Sequence, residues 1–240
     1  GGEGSVIAFA EGGGVSLQEA CELACGAAKA GSPCTVISGG NAALASFAAR
    51  EYDSKTAFIF KQGHSTKIRL FSENGMAYSR ESLRNLSSKT PTDGKIAGSV
   101  YLLPHGVLVK KYLAHLKKNC LLPREIAFLE NSENRFSKEI AEELGILKKC
   151  DVVFGISHDG ERAFAILPDG SELSYWQLMA ICCIEVGKES ILLPRDTPDT
   201  VEKILNRHSV KTEFYNDSDS DRRRAAAEEF LPRDGILLAL

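Results

Sequence analysis

The chain has 240 residues, of which 43% are hydrophobic and 25% are charged, a composition typical of a globular protein. Its 29 basic and 32 acidic residues are interspersed and leave a net charge of −3, so we expect no nucleic-acid partner. The apolar runs are too short to span a bilayer and no signal peptide is evident, which predicts a cytoplasmic protein without membrane contact. The seven cysteines form no CxxC pair and fall mostly in apolar patterns, which favours reduced thiols.

Short apolar runs alternate with amphipathic stretches along the chain. We predict strands at residues 5–10, 34–38, 56–60, 67–72, 125–130, 151–156, 162–167, 190–193 and 211–215. We predict helices at residues 16–30, 41–52, 104–118, 134–144, 174–186 and 197–208, with further helical material up to residue 240. Residues 87–100 are loosely patterned and are interpreted as the approach to a domain boundary. Strands separated by helices in this way predict an α/β fold with largely parallel sheets.

The first two helices carry clear signals at their amino ends. Ser16 is followed three residues later by Glu19, which is a capping-box pattern, and Asn41 is the predicted cap of the second helix. One face of the first helix carries the apolar residues that we expect to be buried: Leu17, Ala20, Cys21, Ala24 and Ala28.

Two segments resemble the α-D-phosphohexomutases, the family of phosphoglucomutases and phosphomannomutases. In residues 16–75, SLQEACELACGAAKAGSPCTVIS is similar to the family's first helix and second strand, and TAFIFKQGHSTKIRLFSENG is similar to its catalytic-loop region. Residues 151–182, DVVFGISHDGERAFAILPDGSELSYWQLMAIC, resemble the family's metal-loop region. The resemblance implies consecutive phosphohexomutase-like α/β domains with mixed, largely parallel sheets. It places domain I at residues 1–102, a shortened domain II at 103–186 and a truncated, domain III-like part at 187–240.

The resemblance assigns catalytic roles to residues that are altered here. Gly63 stands at the position of the family's phosphoserine and is followed by His64, the counterpart of the family's conserved histidine. Glycine has no hydroxyl to accept a phosphoryl group. Ser65 is either a substitute nucleophile or a hydroxyl that stabilises a tight turn. Lys61 and Lys67 flank this loop and either bind a substrate phosphate or are simply solvated.

The family's metal loop holds a divalent cation with three alternating aspartates, followed by an arginine that positions the phosphoryl group. The corresponding residues here are Ser157, Asp159 and Glu161, followed by Arg162. One carboxylate has become a hydroxyl, so we expect no cofactor, and the alternative is a weakened Mg²⁺ site. Without a metal, the loop is a polar hairpin tip in which residues 159–160 form the turn.

Other parts of the family's site are missing from the sequence. Glu11 stands where the family has arginines, the sugar-selecting loop has no counterpart after residue 215, and the phosphate-binding fourth domain is absent. The three glycines at residues 12–14 precede a capped helix but lack the spacing of a phosphate-binding loop.

The resemblance therefore implies a protein of carbohydrate metabolism, in a family of isomerases, whose catalytic serine and metal loop are not intact. We interpret the chain as a pseudoenzyme with a regulatory, assembly or sugar-phosphate-binding role in sugar-nucleotide metabolism. Similar degenerate domains end proteins that begin with a sugar-nucleotide transferase domain. The implied partners are thus a sugar phosphate and a nucleotidyltransferase domain in the same full-length chain. The alternative is an active phosphosugar mutase, an intramolecular phosphotransferase, with an altered catalytic loop.

Overall fold

Eleven strands and nine helices are present in the parts of the chain that the computed structural model describes. These parts are residues 4–9, 15–88, 97–119, 126–128, 135–146, 151–157, 159–216, 218–228 and 234–240. They divide into two compact units, Gly1–Tyr112 and Leu113–Leu240. The proposed boundaries near residues 102 and 186 stay a prediction.

The first unit is built on one five-stranded sheet with helices on both faces. Its elements are β1 (Ser5–Phe9), α1 (Leu17–Lys29), β2 (Cys34–Ser38), α2 (Ala42–Glu51), β3 (Lys55–Gln62), β4 (Ser65–Phe71), α3 (Arg80–Ser87) and β5 (Val100–Leu103), followed by α4 (His105–Asn119), which continues into the second unit. The strand order is β4-β3-β1-β2-β5. All neighbouring strands are parallel except the β3–β4 hairpin, which is antiparallel.

Alternating side chains of this sheet build two apolar layers. Ile7, Val36 and Ile59 are buried in one layer with apolar residues of α1, and Phe58 and Phe71 are buried in the other with alanines of α2. The small alanine side chains let both helices lie close to the sheet, since packing between elements depends on side-chain size. These layers fix the carboxyl ends of the parallel strands at one edge.

The second unit contains two further sheets. Its strands and remaining helices are β6 (Ile126–Phe128), α5 (Arg135–Leu144), β7 (Val152–Ile156), β8 (Ala163–Ile166), β9 (Glu172–Leu173), α6 (Tyr175–Glu185), β10 (Ser190–Pro194), α7 (Asp199–Arg207), β11 (Lys211–Tyr215), α8 (Ser220–Glu228) and α9 (Gly235–Ala239). One sheet has the order β6-β7-β8-β9 and is mixed, and the other pairs β10 with β11 in parallel. The predicted α/β fold with mixed, largely parallel sheets is confirmed.

Three local predictions in the first unit were wrong. Leu17 was expected to be buried, but its side chain is 47% exposed because it begins the helix beyond the edge of the apolar layer. The stretch at residues 87–100 contains the end of α3 and the start of β5, neither of which was predicted from the sequence. Strand β5 lies at an edge of the sheet, and Tyr101 and Leu102 are both largely exposed there, so no alternating pattern marks it.

Burial governs the thiols for which the structure gives a description. The five described cysteines are free, and Cys34 is completely buried beneath α1. Burial raises the pKa of the Cys34 thiol to about 11 and also raises the pKa of Cys182. Both groups therefore stay protonated at neutral pH and are poor nucleophiles. None of the helices in the described ranges combines the length and apolar character that crossing a bilayer requires.

Candidate functional site

The first candidate loop is the connection between β3 and β4. Gln62 pairs with Ser65 in the antiparallel ladder, so Gly63 and His64 alone form the turn. Gly63 has a φ of +59°, and glycine with positive φ at the first position is the signature of a type II′ hairpin turn. The local sequence thus gives a tight two-residue turn at the place where the resemblance implies a catalytic loop.

The side chains at this turn extend into solvent. Gly63, His64, Ser65 and Lys67 are all exposed, and a Cβ added at Gly63 would have nothing within 4 Å. Water around these groups weakens any electrostatic contact that they make, because the local dielectric is high. The turn therefore presents polar groups without a shaped, water-excluding pocket around them.

Lys61 lies in β3 and is tied to the first helix. Its Nζ lies 3.3 Å from Oε1 of Glu19, the residue that completes the Ser16 capping box. Hydrogen bonds from the backbone and hydroxyl of Ser16, and then from Lys61, hold the pKa of the Glu19 carboxyl below its ordinary value. The charge of Lys61 is thus partly neutralised by a carboxylate.

The second candidate loop connects β7 to β8 in the second unit and is closed by its own hydrogen bonds. The Ser157 hydroxyl donates to Oδ1 of Asp159 at 2.6 Å, and the same hydroxyl oxygen accepts from the Arg162 backbone at 3.0 Å. Oδ1 of Asp159 also accepts from the backbone N–H of Glu161 at 3.2 Å. Two of the three residues at metal-ligand positions are thereby used to hold the turn, as in an Asx turn.

The backbone of this loop is equally well paired. Ser157 N–H donates to the Arg162 carbonyl at 2.9 Å, and Gly160 N–H donates to the Ser157 carbonyl at 2.8 Å. The Arg162 guanidinium lies over the Tyr175 ring, 5.5 Å from its centroid, which is a cation–π contact. The neighbouring residue 158 lies outside the described residues, as do Glu11 and the glycines at 12–14.

A short helix at the carboxyl end of the chain is seated on this loop. Gly235 N–H donates to the Gly160 carbonyl at 2.9 Å, and the buried Asp234 carboxylate accepts from the backbones of Ile236 and Leu237 at 3.0 Å. Helix α9, which begins at Gly235, also packs against β8 and α6. This contact was not predicted from the sequence, although an Asp-Gly pair before an apolar run is a recognisable helix start.

An apolar groove with a volume of about 670 Å³ lies on the face of the first sheet that α1 covers. Helices α1 and α3 and strands β3 and β4 line it, with Leu23, Ala57, Ile68, Tyr78, Leu83 and Leu86 among the residues at its surface. Lys55 and Ser5 place it toward the amino ends of β3 and β1, whereas the Gly63 turn follows the carboxyl end of β3. The groove is thus separate from the first candidate loop.

The two candidate loops belong to different compact units and are therefore described separately. Gly63, His64 and Ser65 share one turn, with Lys61 and Lys67 on its two strands. In the other unit the structure brings together Ser157, Asp159, Glu161 and Arg162. Within the described residues, no group of three or more His, Cys, Asp or Glu side chains could hold a metal ion.

Several solved structures resemble the chain over nearly its whole length. An assigned phosphomannomutase from Thermus thermophilus superposes with a TM-score of 0.77 at 14% identity, covering 99% of this chain and 70% of that one. A phosphoglucomutase/phosphomannomutase family protein from Burkholderia thailandensis gives a TM-score of 0.72 at 12% identity, covering 99% and 67%. Parafusin (pp63) from Paramecium, a phosphoglucomutase in its open form, gives 0.57 at 8% identity, covering 88% and 55%.

The chain has the phosphohexomutase fold. No protein-family model and no curated protein matches the sequence, so the likeness rests on the structure. At identities of 8–14% the phosphohexomutase fold is preserved while individual side chains are free to differ. The chemistry of this chain must therefore be argued from its own residues, because one fold can host different functions.

Proposed function

We propose that this chain is a non-catalytic phosphohexomutase-like module of cytoplasmic sugar-nucleotide metabolism. Its role is regulation, assembly or the binding of a sugar phosphate, and its partner is a nucleotidyltransferase domain in the same full-length chain. The observation that carries the loss of catalysis is the pairing of Gln62 with Ser65, which leaves only Gly63 and His64 between the strands. A two-residue turn has no length from which to build a loop around a transferring phosphoryl group.

Phosphoryl transfer depends on positioning and on electrostatic stabilisation, and the described residues at this turn supply little of either. Gly63 has no nucleophilic atom, and the groups beside it are exposed to water. Lys61 is engaged by Glu19. Preorganised donors in a dry site are commonly the largest single contribution to catalysis, and an exposed hairpin tip cannot provide them.

The β7–β8 loop does not fit a resident Mg²⁺ ion. Mg²⁺ is held by hard, anionic oxygen ligands in strict octahedral geometry. Here the Ser157 hydroxyl points its proton at Asp159 and accepts from Arg162, and the same oxygen of Asp159 accepts a second hydrogen bond. A cation would have to break these bonds to reach the two side chains. We infer that the loop is a structural turn.

We expect isothermal titration of the chain with Mg²⁺ to show no saturable binding at millimolar concentrations. The closed hydrogen bonds of Ser157 and Asp159 leave a neutral hydroxyl and an occupied carboxylate oxygen as ligands. Asp159→Ala should give the same flat titration as the wild type. Asp169→Ala, which removes another turn aspartate from the same unit, is the matched control. A saturable heat that Asp159→Ala removes and Asp169→Ala retains would contradict the structural role.

The alternative function is an active phosphosugar mutase that uses Ser65 as its nucleophile. The observation in its favour is that Ser65 carries an exposed hydroxyl at the first position of β4, directly after the turn. The two functions are thus distinguished by one covalent product. An active mutase carries a phosphoryl group on its serine, whereas the proposed module does not.

Intact mass after incubation with glucose 1,6-bisphosphate tests the proposed function. We expect the mass of the chain to stay unchanged under conditions in which an intact phosphomannomutase gains one phosphoryl group. A stoichiometric phosphoryl adduct that disappears in Ser65→Ala would establish the alternative. An adduct that persists in Ser65→Ala would also reject the proposal, because it would place a nucleophile elsewhere in the chain.

A further inference from the structure

The connection from β2 to α2 is a tight turn made of two glycines and a capping asparagine. Gly39 and Gly40 have φ values of +78° and +106°. A Cβ at Gly39 would lie 2.8 Å from Nδ1 of His105, and one at Gly40 would lie 2.5 Å from Cδ2 of Leu44. Both positions therefore require glycine, and the backbone reaches the start of α2 without side chains between it and the helix end.

Asn41 caps this helix with one end of its side-chain amide. Oδ1 accepts from the Leu44 backbone at 2.9 Å, and the Asn41 carbonyl accepts from Ala45 at 3.0 Å. These bonds fix the orientation of the amide, because a flip would place its NH₂ group against the N–H of Leu44. Nδ2 shares the amide carbon with Oδ1, so it must lie at the same helix end.

The Asn41 amide nitrogen is a buried donor without an acceptor. The residue is 1% exposed, and Nδ2 makes no hydrogen bond to any of the described residues. The great majority of buried polar groups in proteins are hydrogen-bonded, so each exception requires an explanation. An acceptor that the chain itself does not supply is the simplest one.

Backbone donors converge on the same point. Ala42 and Ala43 occupy the first two positions of α2, where helix geometry provides no carbonyl for their N–H groups, and both residues are completely buried. The first turn of α2 contains no acidic residue. The positive end of the helix dipole lies here as well. The junction thus gathers donors and positive potential and contributes no carboxylate of its own.

The position in the sheet also favours a ligand. Strand β2 lies between β1 and β5 and is parallel to both, so the amino end of α2 lies at the carboxyl edge of these strands. Ligands of open parallel sheets bind at this edge. Ser38, Gly39 and Gly40 are half-buried, which leaves the outer side of the turn in contact with solvent.

We propose that the amino end of α2 is an oxyanion site, with Nδ2 of Asn41 and the N–H groups of Ala42 and Ala43 as its donors. The ligand class is a phosphate group, either inorganic phosphate or a phosphate monoester. A phosphate oxygen is a strong acceptor, and its charge suits a helix amino end. The inference rests on the α2 junction alone and is independent of whether the chain is a catalyst.

Inorganic phosphate is the first probe, titrated into isotope-labelled protein at constant ionic strength with chloride as the compensating anion. We expect saturable shifts of the amide signals of Ala42 and Ala43 and of the Asn41 side chain. Asn41→Asp keeps the capping oxygen and replaces the donor with a charged acceptor, so it should weaken phosphate binding at least tenfold. Asn85→Asp makes the same charge change on the exposed helix α3 and should bind like the wild type.

Each result decides for or against the site. Wild-type signals that do not shift with phosphate, or Asn41→Asp and Asn85→Asp variants that weaken binding equally, overturn the proposal. If circular dichroism shows that Asn41→Asp is unfolded, Asn41→Ser takes its place, because serine also caps helices but lacks the amide donor. Tighter binding of glucose 6-phosphate than of inorganic phosphate identifies a phosphate monoester as the ligand, and equal binding identifies free phosphate.

Discussion

Replacing Gly235 with alanine is expected to lower the free energy of unfolding of the second unit by about 1–3 kcal/mol, the usual cost of overpacking. A Cβ at this position would collide with the carbonyl oxygen of Arg162 and would lie 2.5 Å from its carbonyl carbon. Both are backbone atoms of the β7–β8 loop and cannot rotate away as a side chain would. The alanine must therefore push α9 off the loop or break the bond from Gly235 to Gly160.

Urea denaturation followed by the fluorescence of Trp176 measures this effect. Trp176 is the only tryptophan of the chain and lies in α6, which packs against α9. Gly26→Ala is the matched control, since Gly26 lies inside α1 and a Cβ there meets nothing within 4 Å. That change should leave the Trp176 transition in place. A Gly235→Ala transition that coincides with the wild-type transition would show that α9 is not seated on the loop.

Gly63→Ser should not give the chain a phosphorylated serine or mutase activity. The new hydroxyl would stand at the tip of a two-residue turn, in solvent, on a residue with a φ of +59°. An L-residue in this conformation costs about 1–2 kcal/mol. More important, well-oriented reacting groups are worth up to about 7–11 kcal/mol and one oxyanion donor about 3 kcal/mol, and restoring a hydroxyl supplies neither.

Transfer of radioactive phosphate from labelled glucose 1,6-bisphosphate checks the Gly63→Ser variant. We expect the label on the variant to equal that on the wild type and on Gly63→Ala, which introduces the same backbone strain without a hydroxyl. Label on Gly63→Ser alone would mean that the surroundings of the turn are more complete than its exposure indicates.

The fold was predictable because several signals in the sequence agree. Apolar runs alternate with capped helices, and the Ser16–Glu19 capping box forms as its spacing indicates. Asn41 caps α2, and Ser174 forms a capping box with Gln177 at the start of α6. These are contacts between residues three positions apart, so sequence spacing is enough to specify them.

The elements that were not predicted depend on contacts made elsewhere in the chain. Strand β5 is recognisable only through its pairing with β2, since its own side chains are exposed on the edge of the sheet. Helix α3 is polar overall, and its two exposed leucines, Leu83 and Leu86, border a groove instead of entering the core. Neither element has the buried, periodic pattern on which prediction from sequence relies.

The candidate site was predictable in position but not in detail. The positions of Gly63 and of the loop from Ser157 to Arg162 followed from the resemblance. The pairing of Gln62 with Ser65, and the closure of the second loop by the Ser157 hydroxyl, are matters of register and side-chain orientation. A shift of one residue in either strand would change them, and the sequence pattern does not resolve such shifts.

Turnover of the wild-type chain is the most direct test of the central claim that this phosphohexomutase fold is not a catalyst. Glucose 1-phosphate and mannose 1-phosphate are offered with glucose 1,6-bisphosphate and Mg²⁺ in a coupled assay, with an intact phosphomannomutase as the positive control. The two-residue turn at Gly63 predicts a rate equal to the background without enzyme. A rate above that background that is proportional to the chain's concentration and lost in Ser65→Ala would contradict the account.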